Sequence, residues 1–163
     1  MPRYIFPGSL ALLGLAVFVL SVIPVLFPGH RPVPGAICIA NLKQQQAALQ
    51  QYAVDYDDHL PNAQWADRLT NTYLKGDWAF LCPIQKKSGF GYAFNASLVG
   101  KSLEQVTEPE RMALIFESTN SEKNALSTNS RFSTRHEGQG YVYFVRGGIA
   151  SLDTTSFKER VKP

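Results

Sequence analysis

An uncharged apolar segment near the amino terminus constrains this chain more than any other feature. Between Arg3 and Arg31 no residue carries a formal charge, and residues 9–27 are almost continuously apolar. As a helix rising 1.5 Å per residue, this stretch would be about 28 Å long, close to the roughly 30 Å hydrocarbon core of a bilayer. Residues 6–27 are therefore predicted to form a transmembrane helix with the lipid bilayer as its partner.

Two other interpretations of this segment are a cleaved signal peptide and a buried core helix. A cleaved signal peptide would share the short basic start, but no small-x-small cleavage site follows the run that ends at Phe27-Pro28. A buried core helix would need a larger domain to surround so uniformly apolar a cylinder. We expect an uncleaved signal-anchor with residues 1–5 as a cytoplasmic tail. This places the chain in the cytoplasmic membrane as a single-pass protein, with its C-terminal domain outside the cytoplasm.

The rest of the chain predicts one α+β domain. Residues 28–35 contain three prolines and two glycines and are expected to form a stiff linker, so the extracytoplasmic domain covers residues 36–163. Helical spacing of apolar residues runs from Ile37 to about Asp57, and a second, shorter helix is expected through Trp65, Leu69 and Tyr73. Short apolar runs then predict strands, and they are residues 90–94, 112–116, 141–145 and 149–152. Residues 120–133 are expected to be an exposed loop.

The charge distribution argues against nucleic acid as a partner. The chain carries 16 basic and 13 acidic side chains, and Arg3, Arg31 and Lys43 precede the first acidic residue, Asp55. The predicted domain is therefore balanced from Asp55 onward. Binding to nucleic acid generally needs a basic face, so this function class is excluded.

Several motifs together resemble bacterial prepilin-like proteins of the family named for a C-terminal H-x9-D-G motif. The matching stretches, in order, are residues 38–61, Trp65–Leu69, Cys82-Pro83, Gly91–Asn95, Ala113–Glu117 and Arg135–Gly138. The resemblance covers about residues 38–152. It implies an amphipathic helix packed on an antiparallel sheet. It also implies a pseudopilin-like structural or interaction component of a type II secretion or surface-filament apparatus, with other pilin-like subunits as partners and without catalysis or a cofactor.

The chain departs from this family at two places. Gly8 is followed by an apolar run that holds no acidic residue, whereas prepilins place an acid a few positions into that run. In the C-terminal motif, whose positions are His136, Gly138, Arg146 and Gly147, Arg146 stands where the family has Asp. The missing acid and the proline-rich stretch 28–35 favour an alternative from another class, a stand-alone surface domain that binds a ligand or adheres but does not polymerise.

The two cysteines are the first candidates for site chemistry. Outside the cytoplasm a pair of cysteines usually forms a disulfide, and a bond between Cys38 and Cys82 is predicted on that ground. Two buried, unpaired thiols are the alternative. A catalytic cysteine is not expected, because no local motif orients a base toward either thiol.

No metal site is expected from the sequence. The weak candidates are the ligand types clustered at Asp55, Asp57, Asp58 and His59, which lack the central glycine and the later glutamate of a calcium loop. His136 has no second histidine or cysteine close in sequence, so it is interpreted as a hydrogen-bonded turn residue. Residues 95–102 are one residue from a phosphate-binding loop, but Asn95 replaces the first glycine, which favours a surface turn.

Overall fold

The computed structural model describes Leu13, residues 15–19, residues 34–85 and residues 89–162. The chain divides into two compact units, Met1–Pro32 and Val33–Pro163. In the first unit, Leu13 and residues 15–19 are helical. The second unit contains the helices and strands that are described below.

The prediction of an N-terminal transmembrane helix is contradicted. Of residues 6–27, the structure describes only Leu13 and residues 15–19, and the other positions lie outside the described residues. Within the part of the chain that is described, no helix has both the length and the apolar character needed to cross a bilayer. A spanning helix needs about 20 predominantly apolar residues in succession, and no described helix supplies them.

Three α-helices lie among the described residues of the second unit. Helix α1 spans Pro34–Asp55, α2 spans Trp65–Thr72 and α3 spans Thr154–Arg160. The predicted helical periodicity of α1 is confirmed, because Cys38, Leu42 and Leu49 are buried on one face. The helix begins at Pro34, however, so the last two residues of the predicted linker 28–35 are helical. Proline suits this position because it has no backbone N–H group, and N–H groups in the first turn of a helix have no intrahelical partner in any case.

Five strands form one mixed sheet. They are β1 (Tyr92–Asn95), β2 (Ala113–Glu117), β3 (Leu126–Ser127), β4 (Gly140–Phe144) and β5 (Ile149–Leu152). Their order is β3-β1-β2-β4-β5, with antiparallel pairing between β1 and β2, β2 and β4, and β4 and β5. Strand β3 pairs with β1 in parallel. The expectation of an antiparallel sheet is therefore wrong at this one edge.

Strand β3 lies inside the stretch 120–133 that was expected to be an exposed loop. Ala125 and Ser127 are buried there, and the side chain of Asn124 accepts hydrogen bonds from the backbone N–H groups of Ala66 and Asp67. Asn124 thus caps the first turn of α2 from a distant part of the chain. The polar residues of this stretch predicted an exposed loop. At least one of them, Asn124, is instead a cap for α2.

Side chains pack on both faces of the sheet. The larger core lies between the sheet and helices α1 and α2, and it contains Leu42, Trp65 and Phe94. A smaller core on the other face joins Phe116 to Phe157 of α3. Because the sheet is covered on both faces, β1 and β2 are buried along their whole length, which explains why β2 is an uninterrupted apolar run before Glu117.

Candidate functional site

Four side chains from four different parts of the fold meet beneath helix α1. They are Cys38 of α1, Cys82 in the loop before β1, Glu117 at the end of β2 and His136 in the turn before β4. Their sulfur, oxygen and nitrogen atoms all lie within 4.8 Å of one another. Cys38, Cys82 and Glu117 are at most 2% exposed. We refer to these four residues as the central cluster.

Amide side chains on α1 hold the loop that carries Cys82. The Asn41 side chain donates to the Leu81 carbonyl at 2.7 Å, and the Gln45 side chain donates to the Ala79 carbonyl at the same distance. Both amides lie one or two turns beyond Cys38, on its face of the helix. The polar residues among the apolar positions of α1 therefore fix Cys82 opposite Cys38.

Gly91 permits the close approach of the first strand to this loop. A Cβ atom at position 91 would lie 2.5 Å from Cys82 Cβ and 2.8 Å from Arg135 Nη1. Both distances are far shorter than ordinary van der Waals contacts. Gly91 thus lets the backbone pass between Cys82 and Arg135, and a side chain at this position would push the central cluster apart.

The carboxylate of Glu117 is held at both oxygens. Oε1 is 2.7 Å from His136 Nε2, and Oε2 accepts the backbone N–H of Tyr141 at 2.9 Å. Burial raises the pKa of Glu117, while the contacts with His136 and Tyr141 partly offset that rise. A carboxyl group with no exposure is costly to bury unless its oxygens are paired, and these contacts meet that requirement.

The cysteine sulfurs are in contact but are not bonded. Cys38 Sγ and Cys82 Sγ are 3.3 Å apart, and both residues are thiols in this structure. A disulfide bond is about 2.05 Å long. The structure therefore brings the predicted partners together without the bond, which stays a prediction.

The two thiols differ in electrostatic environment. The hydrogen bond from Cys38 lowers the pKa of Cys82, and the nearby Arg135 guanidinium lowers it further, although burial opposes the shift. The same hydrogen bond, together with burial, raises the pKa of Cys38. Cys82 is therefore the member of the pair that more readily carries the negative charge.

The guanidinium of Arg135 lies close enough to Cys82 to affect its charge. This group donates to the carbonyl oxygens of Ser118 and Gly91 and to the side chain of Gln85. Its Nε also donates to the Ser133 hydroxyl at 3.1 Å, so four acceptors fix the group in one orientation. Its positive charge offsets the negative charge that Cys82 and Glu117 can carry.

A cleft lies beside the central cluster. It has a volume of about 530 Å³ and is lined by residues that include Gly35, Ile84, Arg135, His136 and Tyr141. The His136 side chain, which is 8% exposed, forms the boundary between the cleft and the buried cluster.

The structure places the weak metal candidates elsewhere and does not gather them into a site. Asp55, Asp57, Asp58 and His59 are exposed at the end of α1. His59 Nδ1 contacts the backbone oxygens of Asp57 and Tyr56, and Asp55 accepts the hydroxyl of Tyr73. Among the described residues, the group of possible metal ligands is instead the central cluster.

The family-motif positions have distinct structural roles. His136 belongs to the central cluster, whereas Gly138, with φ of 84°, lies in the tight turn that leads to β4. Gly147, with φ of 115°, lies in the turn between β4 and β5 beside the exposed Arg146. Arg146 follows His136 by ten residues in the chain. Its Nη1 lies 3.9 Å from Oε1 of Glu110.

Reasoning from the sequence missed Glu117 and the meeting of the four residues. The available signal was an acidic residue directly after the apolar run 113–116, where an ordinary strand end would place a turn residue. His136 was judged alone because its partners are distant in sequence, and only the pairing of β2 with β4 brings it to Glu117.

Searches against protein-family models, curated proteins and solved structures found no significant match to this chain.

Proposed function

We propose that this chain is a pilin-like structural or interaction component, not an enzyme, in which the central cluster fastens helix α1 to the sheet. A pilin-like component presents a sheet-based domain on a long helix, and α1 is the longest described helix of the fold. A contact that holds the helix on the sheet would keep that domain in a fixed orientation. The resemblance to prepilin-like proteins over about residues 38–152 supports the same function.

The burial of the central cluster carries this proposal. A nucleophile or a general base must reach a substrate, whereas Cys38, Cys82 and Glu117 are enclosed by the core. Each of these residues comes from a different segment, so their mutual contacts join α1, the loop before β1 and the end of β2. That arrangement favours cross-linking of the fold over chemistry on a ligand.

Affinity purification from the source organism tests this function. The full-length chain, tagged at its carboxyl terminus, should enrich other pilin-like subunits after chemical cross-linking. The test variant is Gly91→Val, which should separate the cluster and reduce the enrichment. Val54→Ala, at an exposed position of α1, serves as the control. Cross-linked partners without any pilin-like subunit would contradict the proposal.

The cleft favours a second candidate, a surface domain that binds a small ligand. Its volume of about 530 Å³ is within the usual range for small-molecule sites, and Arg135 supplies a charged group at its wall. Native mass spectrometry of the purified chain would detect such a ligand as an added mass. The exposed wall residue Ser151 allows a test, because Ser151→Trp should fill part of the cleft and remove that mass.

A further inference from the structure

We infer that the central cluster binds one divalent metal ion of the zinc class when both cysteines are reduced, with Cys38, Cys82, His136 and Glu117 as its four ligands. This inference rests on the proposed fastening role, since it names the ion that would complete the fastening. It differs from the sequence prediction, which found no metal partner for His136.

The ligand types match the chemistry of zinc. Two thiolates, one imidazole nitrogen and one carboxylate oxygen are all groups that Zn²⁺ accepts, and four of them form a closed tetrahedral site. Thiolates are soft ligands that disfavour Mg²⁺ and Ca²⁺, which prefer oxygen. The burial of Cys38, Cys82 and Glu117 leaves no place for a substrate in the coordination sphere, which is typical of a structural site.

The distances between the ligand atoms allow an ion to enter with small movements. Ligands at 2.0–2.3 Å from a tetrahedral ion lie roughly 3.3–3.8 Å apart. The sulfurs are now 3.3 Å apart, and the His136 nitrogen and Glu117 oxygen are 2.7 Å apart. Each pair would open by about 0.5 Å, and the widest separation in the cluster, 4.8 Å, would close by about 1 Å.

The surroundings supply the outer contacts and charge balance that such a site needs. Two thiolates and a carboxylate around a divalent ion leave one net negative charge, which the Arg135 guanidinium lies close enough to offset. The second oxygen of Glu117 already accepts the Tyr141 N–H, so the ligand is oriented by the backbone. Metal-binding side chains are generally held by outer contacts of this kind.

Metal analysis of the full-length chain tests the inference. The protein is purified under reducing conditions without a chelator, and its zinc content is measured by elemental mass spectrometry. About one zinc per chain is expected. Replacement with Co²⁺ should give the visible bands of a tetrahedral, thiolate-bound ion, and Cys82→Ser, which leaves Cys38 as the single thiolate, should reduce the sulfur-to-cobalt charge-transfer band by about half.

Matched variants distinguish metal binding at the central cluster from metal binding at the exposed candidate ligands in residues 55–59. Glu117→Gln keeps the side-chain shape and should weaken Co²⁺ binding by roughly tenfold or more, since even outer-contact changes cost 10–100-fold. His59→Asn, at the exposed candidate site, should leave Co²⁺ binding unchanged. Equal loss in His59→Asn, or wild-type affinity in Glu117→Gln, would overturn the assignment of the ligands.

Two results distinguish the failure of this inference from the failure of the proposed function. If the reduced chain takes up neither zinc nor cobalt but Cys38→Ala still lowers its melting temperature, the metal inference is wrong and the fastening role stands. If the wild-type chain binds the metal but Cys38→Ala does not lower the melting temperature, the fastening role is wrong and the metal inference stands. A Cys38–Cys82 disulfide in protein from the native source would also overturn the inference, because both sulfurs would then be unavailable as thiolates.

Discussion

Truncation of Leu42 tests the packing of α1 on the sheet. The side chain is 0% exposed in the larger core, and Leu42→Ala removes three carbon atoms from it. At about 0.8 kcal/mol for each buried carbon, the transfer of these atoms costs roughly 2.4 kcal/mol. The cavity that remains adds to this, and measured Leu→Ala changes in cores reach about 2–5 kcal/mol. We expect a loss of about 3 kcal/mol in the free energy of unfolding.

The matched control lies on the same helix. Val54 is 78% exposed, so Val54→Ala should change stability by less than about 0.5 kcal/mol. Urea unfolding of the full-length chain, followed by circular dichroism, measures both variants against the wild type. If Leu42→Ala and Val54→Ala had equal effects, helix α1 would not pack on the sheet as described.

Three further predictions concern individual residues. Gly147→Val should cost about 1–2 kcal/mol, because φ at this position is 115° and a residue with a Cβ is strained there, whereas the exposed Arg146→Asp should be neutral in a thermal melt. Asn124→Ala should cost about 1 kcal/mol in urea unfolding, since it removes the cap on the first turn of α2. Hydrogen bonds from Lys123 and then Asn124 lower the pKa of Asp67 below its ordinary value, so the carboxylate stabilises the fold above about pH 4 and that contribution disappears as the pH falls through the lowered pKa. The difference in melting temperature between wild type and Asp67→Asn should therefore shrink between pH 5 and pH 2 by a modest amount, because the side chain is 44% exposed; an unchanged difference would contradict the ion pair.

Local patterns in the sequence predicted helices α1 and α2 and most of the strands, but not the short helix α3. The spacing of Cys38, Leu42 and Leu49 indicated the buried face of α1, and apolar runs indicated β1, β2, β4 and β5 to within about two residues. These features depend on neighbours close in the chain. Strand β3 was missed because two residues carry too short a pattern, and its parallel pairing depends on the position of β1.

The central cluster could not be predicted because it depends on tertiary contacts. Cys38 and Cys82 were singled out as a pair, but Glu117 was not, and His136 was judged without its partner. Glu117 reaches His136 only because β2 and β4 are neighbours in the sheet. In the same way, no local pattern revealed that Asn124 caps α2, since the two segments are far apart in the chain.

Amide hydrogen exchange in Cys38→Ala tests the fastening role of the central cluster most directly. Alanine is the better helix former, so the substitution by itself should strengthen α1, and any loss of protection must come from lost contacts with Cys82 and its neighbours. The account predicts that peptides from Pro34–Asp55 exchange roughly fivefold faster, the effect of about 1 kcal/mol, while peptides from Thr154–Arg160 on the opposite face change less. Unchanged or increased protection in Pro34–Asp55 would contradict the claim that the cluster fastens this helix to the sheet.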